Sequence, residues 1–237
     1  MTLADLKKEL AAVADPERAR SSAWFFKTKK GQYGYGDRFI GITVPAQRKI
    51  ARRYTHLPLS DIEKLLASPI HEHRFTGLEI LVAQYGQGDQ QAIFDFYLRS
   101  TARVNNWDLV DTSAPYIVGK HLLSRRRGVL HRLAKSRNLW ERRIAIVATL
   151  AFIRQGDLED TFAIAGRLLK DEHDLIHKAV GWMLREAGKR SSEALLDFLQ
   201  QHYSDLPRTA LRYAIERFPP AQRKRLLAGD FSASSNK

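Results

Sequence analysis

The stretch from Asn106 to Asp111 places an aromatic ring and a carboxylate four residues apart. On a helix, Trp107 and Asp111 share one face a turn apart, because residues i and i+4 are neighbours on a helix surface. The chain has 39 Lys+Arg against 26 Asp+Glu, so an acid beside a Trp is out of place on a surface that binds anions. The pair therefore indicates a site that recognises a cationic group embedded in a polyanion.

The composition predicts an anionic partner, since the formal net charge is +13 and the pI is near 10.1. Nucleic acid is favoured over a membrane because the cations are spread along the chain rather than concentrated in one amphipathic helix. The absence of cysteine excludes disulfides, thiol nucleophiles and Cys-ligated metals. Residues 1–14 lack a signal-peptide core, and no apolar run approaches about 20 residues. We expect a soluble, cytoplasmic protein, associated with the nucleoid if its nucleic-acid partner is DNA.

From Val44 onward, apolar residues recur at intervals of three and four, which predicts an all-α fold. Long predicted helices align at intervals of 34, 35, 35 and 30 residues, with shorter helices between them. The aligned positions are Arg74, Asp108, Arg143, Lys178 and Arg208. Such a period is typical of a curved α-solenoid, although consecutive helices also reach similar spacing by accident.

The repeat register brings four side chains toward one face. Relative to the aligned positions, Trp107 lies at −1, Arg143 at 0, Asp111 at +3 and Trp182 at +4. At about 100° per residue they fall within about 140°, so stacked helices could point all four into one groove. Taken alone, each Trp is also explained as a core aromatic, and Asp111 as a structural ion-pair partner of Arg143. These alternatives stay open at this point.

Residues 24–41 interleave aromatic rings, cations and glycines. One interpretation is a loop that approaches a ligand closely, stacks on it and contacts phosphates. The other is a turn-rich connector whose aromatic side chains cap the end of the solenoid. Further cations recur near predicted helix ends, where backbone N–H groups also bind phosphate: Arg125 to Arg127, Arg142, Arg143, Arg208, Arg212 and Arg223 to Arg225.

Metal and nucleotide sites have no sequence support. His71 and His73 are two residues apart, a spacing that splays their rings on a helix, and no dense ligand motif accompanies them. Gly34 and Gly36 follow no predicted strand and are not completed to a dinucleotide or P-loop motif. We expect neither a metal nor a nucleotide cofactor.

Taken together, several motifs resemble the AlkD family, the HEAT-like-repeat DNA glycosylases of bacterial alkylation repair. They are Phe25 to Thr28, Tyr35 to Ile42, Trp107 to Asp111, Trp140 to Arg143, Gly181 to Glu186 and Pro207 to Tyr213. Each motif alone is weak, but the set spans most of the chain. The resemblance implies one HEAT-like domain over 1–230, with N-terminal helices and the glycine-rich loop in 1–43 and repeats in 44–230. A flexible tail is expected at 231–237.

The resemblance also implies a function and a site. It implies a monofunctional glycosylase that removes positively charged N3- and N7-alkylated purines from duplex DNA, as a monomer and without a base-flipping pocket. The family's catalytic Asp falls on Asp111, its site tryptophans on Trp107 and Trp182, and its site arginine on Arg143. We predict DNA contacts from Phe25, Lys27, Lys29, Arg38, Arg142, Lys178, Arg208 and Arg212.

One departure from the family pattern keeps an alternative open. The glycine-rich loop resembles that of a subset in which the N-terminal DNA-gripping helix is shortened, and Phe25 stands where the family has a site Tyr. Some relatives bind unusual or branched DNA without base excision. A non-enzymatic DNA-binding solenoid, and more distantly a protein scaffold without a nucleic-acid role, are therefore the alternatives.

Overall fold

The computed structural model of the chain describes residues 1–232, which form two compact units, Met1–His121 and Leu122 onward. Apart from one isolated bridge between Arg38 and Ile70, the described residues contain no β-structure. The prediction of an all-α fold is therefore confirmed. Residues 233–237 of the expected tail lie outside the described residues. The single HEAT-like domain and the curvature of the solenoid stay predictions.

The first unit contains seven α-helices, a 3₁₀ turn at Thr101–Arg103 and a π-helical segment at Pro115–Gly119. The α-helices are α1 (Leu3–Ala12), α2 (Pro16–Phe25), α3 (Val44–Ala51), α4 (Leu59–Leu66), α5 (His71–Tyr85), α6 (Gln90–Arg99) and α7 (Trp107–Ser113). Helix α5 is the centre of this unit, because it packs against α3, α4, α6 and α7. Nearly every side chain of its first three turns is buried, including His71, Glu72 and Arg74.

Buried charges at the start of α5 anchor the glycine-rich segment. The Glu72 carboxylate accepts hydrogen bonds from the backbone N–H groups of Ile40, Gly41 and Ile42, at 2.7 to 3.4 Å. Gly41 has φ +80°, and a Cβ there would lie 2.1 Å from the Asp15 carbonyl oxygen, so only glycine fits. The end of this segment is therefore packed between α2 and α5.

The second unit contains α8 (Gly128–Leu133), α9 (Leu139–Ala148), α10 (Leu150–Arg154), α11 (Glu159–Leu168), α12 (Asp174–Gly188), α13 (Ser192–Gln201), α14 (Arg208–Ala214) and α15 (Pro220–Leu227). Helix α12 is its centre and packs against α9, α10, α11, α13 and α14. Gly181 allows α12 and α14 to pack closely, because a Cβ there would lie 2.5 Å from the Ala210 carbonyl oxygen and from Tyr213 Cβ. This contact fixes α12 against α14 next to Trp182.

Each aligned position of the predicted repeat lies in a helix, on α5, α7, α9, α12 and α14 in turn, and other helices lie between them. The expected alternation of long and shorter helices does not hold throughout, because α7 and α14 have only seven residues each. Three of these helices, α7, α9 and α12, begin where a polar side chain caps them: Asn106 accepts from the N–H of Trp107, Asn138 from Trp140 and His173 from Leu175. Within residues 1–232, none of the helices combines the length and apolar character that a membrane crossing requires.

Candidate nucleic-acid site

The predicted acid and ring lie on one short helix of the first unit. Trp107 is the first residue of α7 and Asp111 lies one turn later, and both side chains are half-buried. Buried neighbours Leu109, Val110 and Ser113 hold the opposite side of the helix in the core. Trp107 and Asp111 therefore share the less buried face, as the four-residue spacing predicted.

An aromatic stack orients Trp107. Its ring stacks on Phe26 with centroids 5.3 Å apart and lies edge-on to Phe25 at 6.0 Å. Phe26 in turn stacks on Phe39 at 5.0 Å, and Phe39 stacks on His71 at 4.6 Å. Offset and edge-to-face ring pairs fix mutual orientation as well as burying surface. The glycine-rich segment thus supplies part of the support for Trp107.

A buried ion cluster, Asp37, His71, Arg74 and Asp108, fixes the start of α7. His71 lies between two carboxylates, with Nδ1 3.1 Å from Asp37 Oδ2 and Nε2 2.8 Å from Asp108 Oδ2. Arg74 Nη2 lies 2.6 Å from Asp37 Oδ2. All four side chains are at most 14% exposed. When His71 is protonated, two cations balance two anions.

The cluster shifts the pKa values of its members in opposite directions. Burial alone lowers the pKa of His71, but the negative charge of Asp108 and the hydrogen bonds to Asp108 and Asp37 raise it to about 9. Burial alone raises the pKa of Asp37, but the hydrogen bond from His71 and the charges of Arg74 and His71 hold it below its usual value. His71 is therefore an imidazolium at neutral pH, donating from both ring nitrogens.

Sequence reasoning did not find this cluster. It considered His71 only as a metal ligand, whereas within residues 1–232 no group of three or more His, Asp and Glu side chains is arranged to hold a metal ion. The partners of His71 are 34 and 37 residues away in sequence. Two features of the sequence could have pointed to it. His71 and Arg74 are three residues apart and share one face of a helix, and Asp37 and Asp108 are acids within the quoted motifs.

Asp111 has electrostatic neighbours of its own. Burial above all raises the pKa of Tyr97, and the negative charge of Asp111 adds to that rise. The Tyr97 hydroxyl is buried and hydrogen-bonded to Ser113 Oγ at 2.9 Å. A neutral phenol and a carboxylate thus lie near one another on the α7 side of the first unit, and Tyr97 has no accessible proton to offer a substrate.

The second unit carries the other two predicted site residues. Arg143 on α9 is 5% exposed, and its Nη1 donates to the Leu175 carbonyl oxygen of α12 at 2.6 Å. Trp182 on α12 is half-buried and lines a groove of about 450 Å³ together with Leu150, Ile153, Arg154, Glu186, Lys189 and Arg190. Neither side chain is a simple core residue, since one is a buried cation and the other borders an open groove.

Several predicted DNA-binding cations already have protein partners. The Arg142 guanidinium donates to both oxygens of Asp171 and to the carbonyl oxygens of Ser136 and Arg137. Lys178 pairs with Asp174 at 2.6 Å. Arg208 donates to the carbonyl oxygen of Leu227 at the end of α15.

The remaining predicted contacts are more accessible. Arg212, Arg38 and Lys29 are exposed, and their side chains form no hydrogen bond or ion pair with residues 1–232. The side chain of Phe25 is 54% exposed. Lys27 is exposed and its ammonium lies 4.8 Å from the centroid of the Trp24 ring. Position in the repeat therefore did not distinguish an arginine that holds helices together, such as Arg142, from one that is open to a ligand, such as Arg212.

Comparisons with known proteins show the family and the fold. A family model described as DNA alkylation repair enzyme matches residues 6–218. A solved structure, described as a predicted DNA alkylation repair enzyme from Enterococcus faecalis, superposes with a TM-score of 0.72 at 18% identity. The match covers 87% of this chain and 97% of that chain, and at this identity it shows a shared fold. No curated protein matches the chain.

Proposed function

Because the chain belongs to the DNA alkylation repair enzyme family, we propose that it is a DNA glycosylase that excises cationic N3- and N7-alkylated purines from duplex DNA. It hydrolyses the N-glycosidic bond as a monofunctional enzyme, acting as a monomer in the cytoplasm without a metal or nucleotide cofactor. The observation that carries this proposal is the pairing of Trp107 with Asp111 on the less buried face of α7.

The chemistry of the substrate makes one carboxylate sufficient. An alkylated purine cation leaves as a neutral base, so the leaving group needs no proton donor. Positive charge builds on the deoxyribose as the bond breaks. Asp111 stabilises this oxocarbenium-like sugar and orients the attacking water, whereas hydrolysis of a neutral glycoside usually needs two acids.

The other site residues recognise charge rather than base shape. Trp107 and Trp182 present ring faces to the cationic nucleotide, each contributing about 0.5–2 kcal/mol. Arg143 contacts a phosphate beside the lesion. Recognition then runs through sugar, backbone and charge, without a pocket for a flipped base.

A base-release assay tests the proposal. The protein is incubated with duplex oligonucleotides that carry N7-methylguanine, N3-methyladenine, hypoxanthine or uracil, and free bases are separated by chromatography. We expect release of the two cationic bases and none of the neutral ones. Release of hypoxanthine would reveal a general acid absent from the proposed site. No release of any cationic base would contradict the glycosylase assignment.

The second candidate function is non-enzymatic binding of branched or unusual DNA. It is favoured by Phe25, which lies edge-on to Trp107 and lacks the hydroxyl of the expected Tyr. Tight binding to a branched junction without base release from any substrate would support it over the glycosylase.

A further inference from the structure

An exposed aromatic side chain and three cations surround a groove at the end of α2. Trp24 lies in the last turn of α2 and is 70% exposed. Lys27 lies over its ring, and Arg20 and Lys29 line the same groove, whose volume is about 330 Å³. Ala23, Thr28 and Gln32 complete the lining, so it contains no acid. We call this set the Trp24 platform.

Hydrogen bonds fix the backbone of the Trp24 platform at the C-terminal end of α2. The N–H of Thr28 donates to the Ala23 carbonyl oxygen and the N–H of Lys27 donates to that of Trp24, the paired bonds of a Schellman helix end. The Thr28 hydroxyl also donates to Ala23, and the Gly34 N–H donates to the Lys27 carbonyl oxygen. These bonds hold residues 23–28 in one conformation.

Lys27 occupies a position that favours glycine. Its φ is +57°, and it is the one residue other than glycine with positive φ in the described part of the chain. A Schellman end usually has glycine at this position because any Cβ raises the energy of the left-handed conformation. Strain retained at a single position points to a function of that side chain. The conformation is also what brings the ammonium over the Trp24 ring.

We propose that the Trp24 platform binds an unpaired stretch of nucleic acid, with a base stacked on Trp24 and phosphates on Lys27, Arg20 and Lys29. Base faces inside a duplex are covered by the neighbouring pairs, whereas an unpaired base presents its face to an aromatic side chain. A grip on duplex phosphates alone would need the cations but not an exposed indole. The site requires no lesion and no excision, so it extends the proposed function without resting on it.

A strand fits the platform better than a membrane surface does. Helix α2 buries none of its residues and carries the charged residues Glu17, Arg18 and Arg20 beside alanines and serines, without the wide apolar face of an interfacial helix. A strand also fits better than a free nucleotide, because the three cations can neutralise more than one phosphate.

The test measures the affinity of a fluorescently labelled, lesion-free oligothymidylate by anisotropy, and that of relaxed circular duplex DNA by filter binding. Stacking on one aromatic side chain changes affinity by about tenfold or more. We expect Trp24→Ala to weaken oligothymidylate binding by about that factor and duplex binding by less than about twofold. Trp24→Phe keeps an aromatic ring and should lose less oligothymidylate affinity than Trp24→Ala does. Lys8→Gln removes the same charge as a Lys27 variant from an exposed site on α1 and serves as the control.

Lys27→Gly separates function from folding. The variant should melt at a higher temperature, since it relieves the left-handed strain, and should bind oligothymidylate more weakly than Lys8→Gln does. An equal loss of single-strand and duplex affinity in Trp24→Ala, or no loss, would overturn the proposal. So would Trp24-dependent binding to phosphatidylserine vesicles in preference to oligothymidylate, or equally tight binding of thymidine monophosphate. None of these outcomes depends on whether alkylated bases are released.

Discussion

Each unit contains an ion network at the start of a helix that carries candidate site residues, and the two networks differ in their access to water. In the first unit, Asp37 and Arg74 are both 4% exposed and pair with each other, and His71 lies between Asp37 and Asp108 at the start of α7. In the second, Arg142 of α9 is 20% exposed and pairs with Asp171, which is 6% exposed. A charge that loses its partner is far more costly where water cannot replace that partner.

The comparison indicates two strategies for positioning a site. The acid and ring on α7 are held by charges that are at most 14% exposed, so their placement depends on pairing within the cluster. In the second unit, some cations, such as Arg142, are paired with protein groups, whereas others, such as Arg212, are exposed to solvent. The first arrangement suits a residue that must point in one direction during a reaction. The second suits contacts with a flexible, charged backbone.

The largest expected effect is on stability. Asp37→Asn removes the charge shared by His71 and Arg74, and we expect it to destabilise the protein by about 3–5 kcal/mol, as for other broken buried pairs. Asp171→Asn, its counterpart in the second unit, should cost only about 1–2 kcal/mol because Arg142 keeps two carbonyl acceptors and some water. Urea unfolding of both variants measures the difference. Equal losses would remove the distinction between the two networks.

The next effect concerns excision. Asp111→Asn should lower the rate of N7-methylguanine release by about 100- to 1,000-fold, the loss typical of removing one electrostatic stabiliser of a transition state. Duplex binding and the melting temperature should change little. Asp95→Asn on α6, whose carboxylate accepts from Gln91, is the matched control and should keep full activity. A largely unfolded Asp111→Asn protein would instead assign Asp111 a structural role.

The free energy of unfolding should depend on pH through His71 in the first unit. The folded pKa of His71, about 9, lies above its ordinary value of 6.5, so its stabilisation is fully present below about pH 6.5. It falls as pH rises and is lost once pH passes about 9, a change of up to about 3 kcal/mol. The charged groups that face the ring are Asp37, Asp108 and Arg74.

Unfolding free energies of wild type and His71→Gln at several pH values between 6 and 9.5 test this. The wild type should lose more stability than the variant toward high pH. Parallel pH curves for the two proteins would show that the His71 proton does not support the fold.

The smallest effect concerns the salt dependence of duplex binding. If binding is mainly electrostatic, log affinity should fall linearly with log salt, by about 0.9 per phosphate neutralised. Arg212→Gln should flatten the slope by about that amount, and Arg208→Gln by less, because Arg208 already donates to Leu227. Arg142→Gln should leave the slope unchanged and lower stability. Binding that does not respond to salt would contradict the electrostatic assignment of Arg212 and Arg208.

Local patterns predicted the parts of the site that lie within one helix. The all-α fold followed from the apolar spacing after Val44, and the motif resemblance is confirmed by the family match over residues 6–218. The shared face of Trp107 and Asp111 followed from helical periodicity. The catalytic and DNA-binding roles of the site residues stay predictions.

Contacts between distant segments could not be predicted in this way. Nothing in the spacing of Asp37, His71 and Asp108 indicates that they meet, because ion pairs across 34 to 37 residues leave no periodic signal. The same limit applies to Arg142 on α9, whose partner Asp171 lies on the connection between α11 and α12. Each of the two interpretations of residues 24–41 fits a different part of the segment. Phe26 and Phe39 pack on His71, as in a structural connector, whereas Trp24 and Tyr35 are exposed, as in a loop that contacts a ligand.

The sequence by itself therefore determined the helices, the family and the neighbours a turn apart on α7, because these depend on local spacing and on residue type. Only the tertiary structure decided which charges are enclosed, which cations remain open to a ligand, and that Lys27 adopts a left-handed conformation over Trp24. The physical reason is that burial and pairing are set by what packs against a side chain. A polar residue has the same identity in the sequence whether its partner is another residue or water.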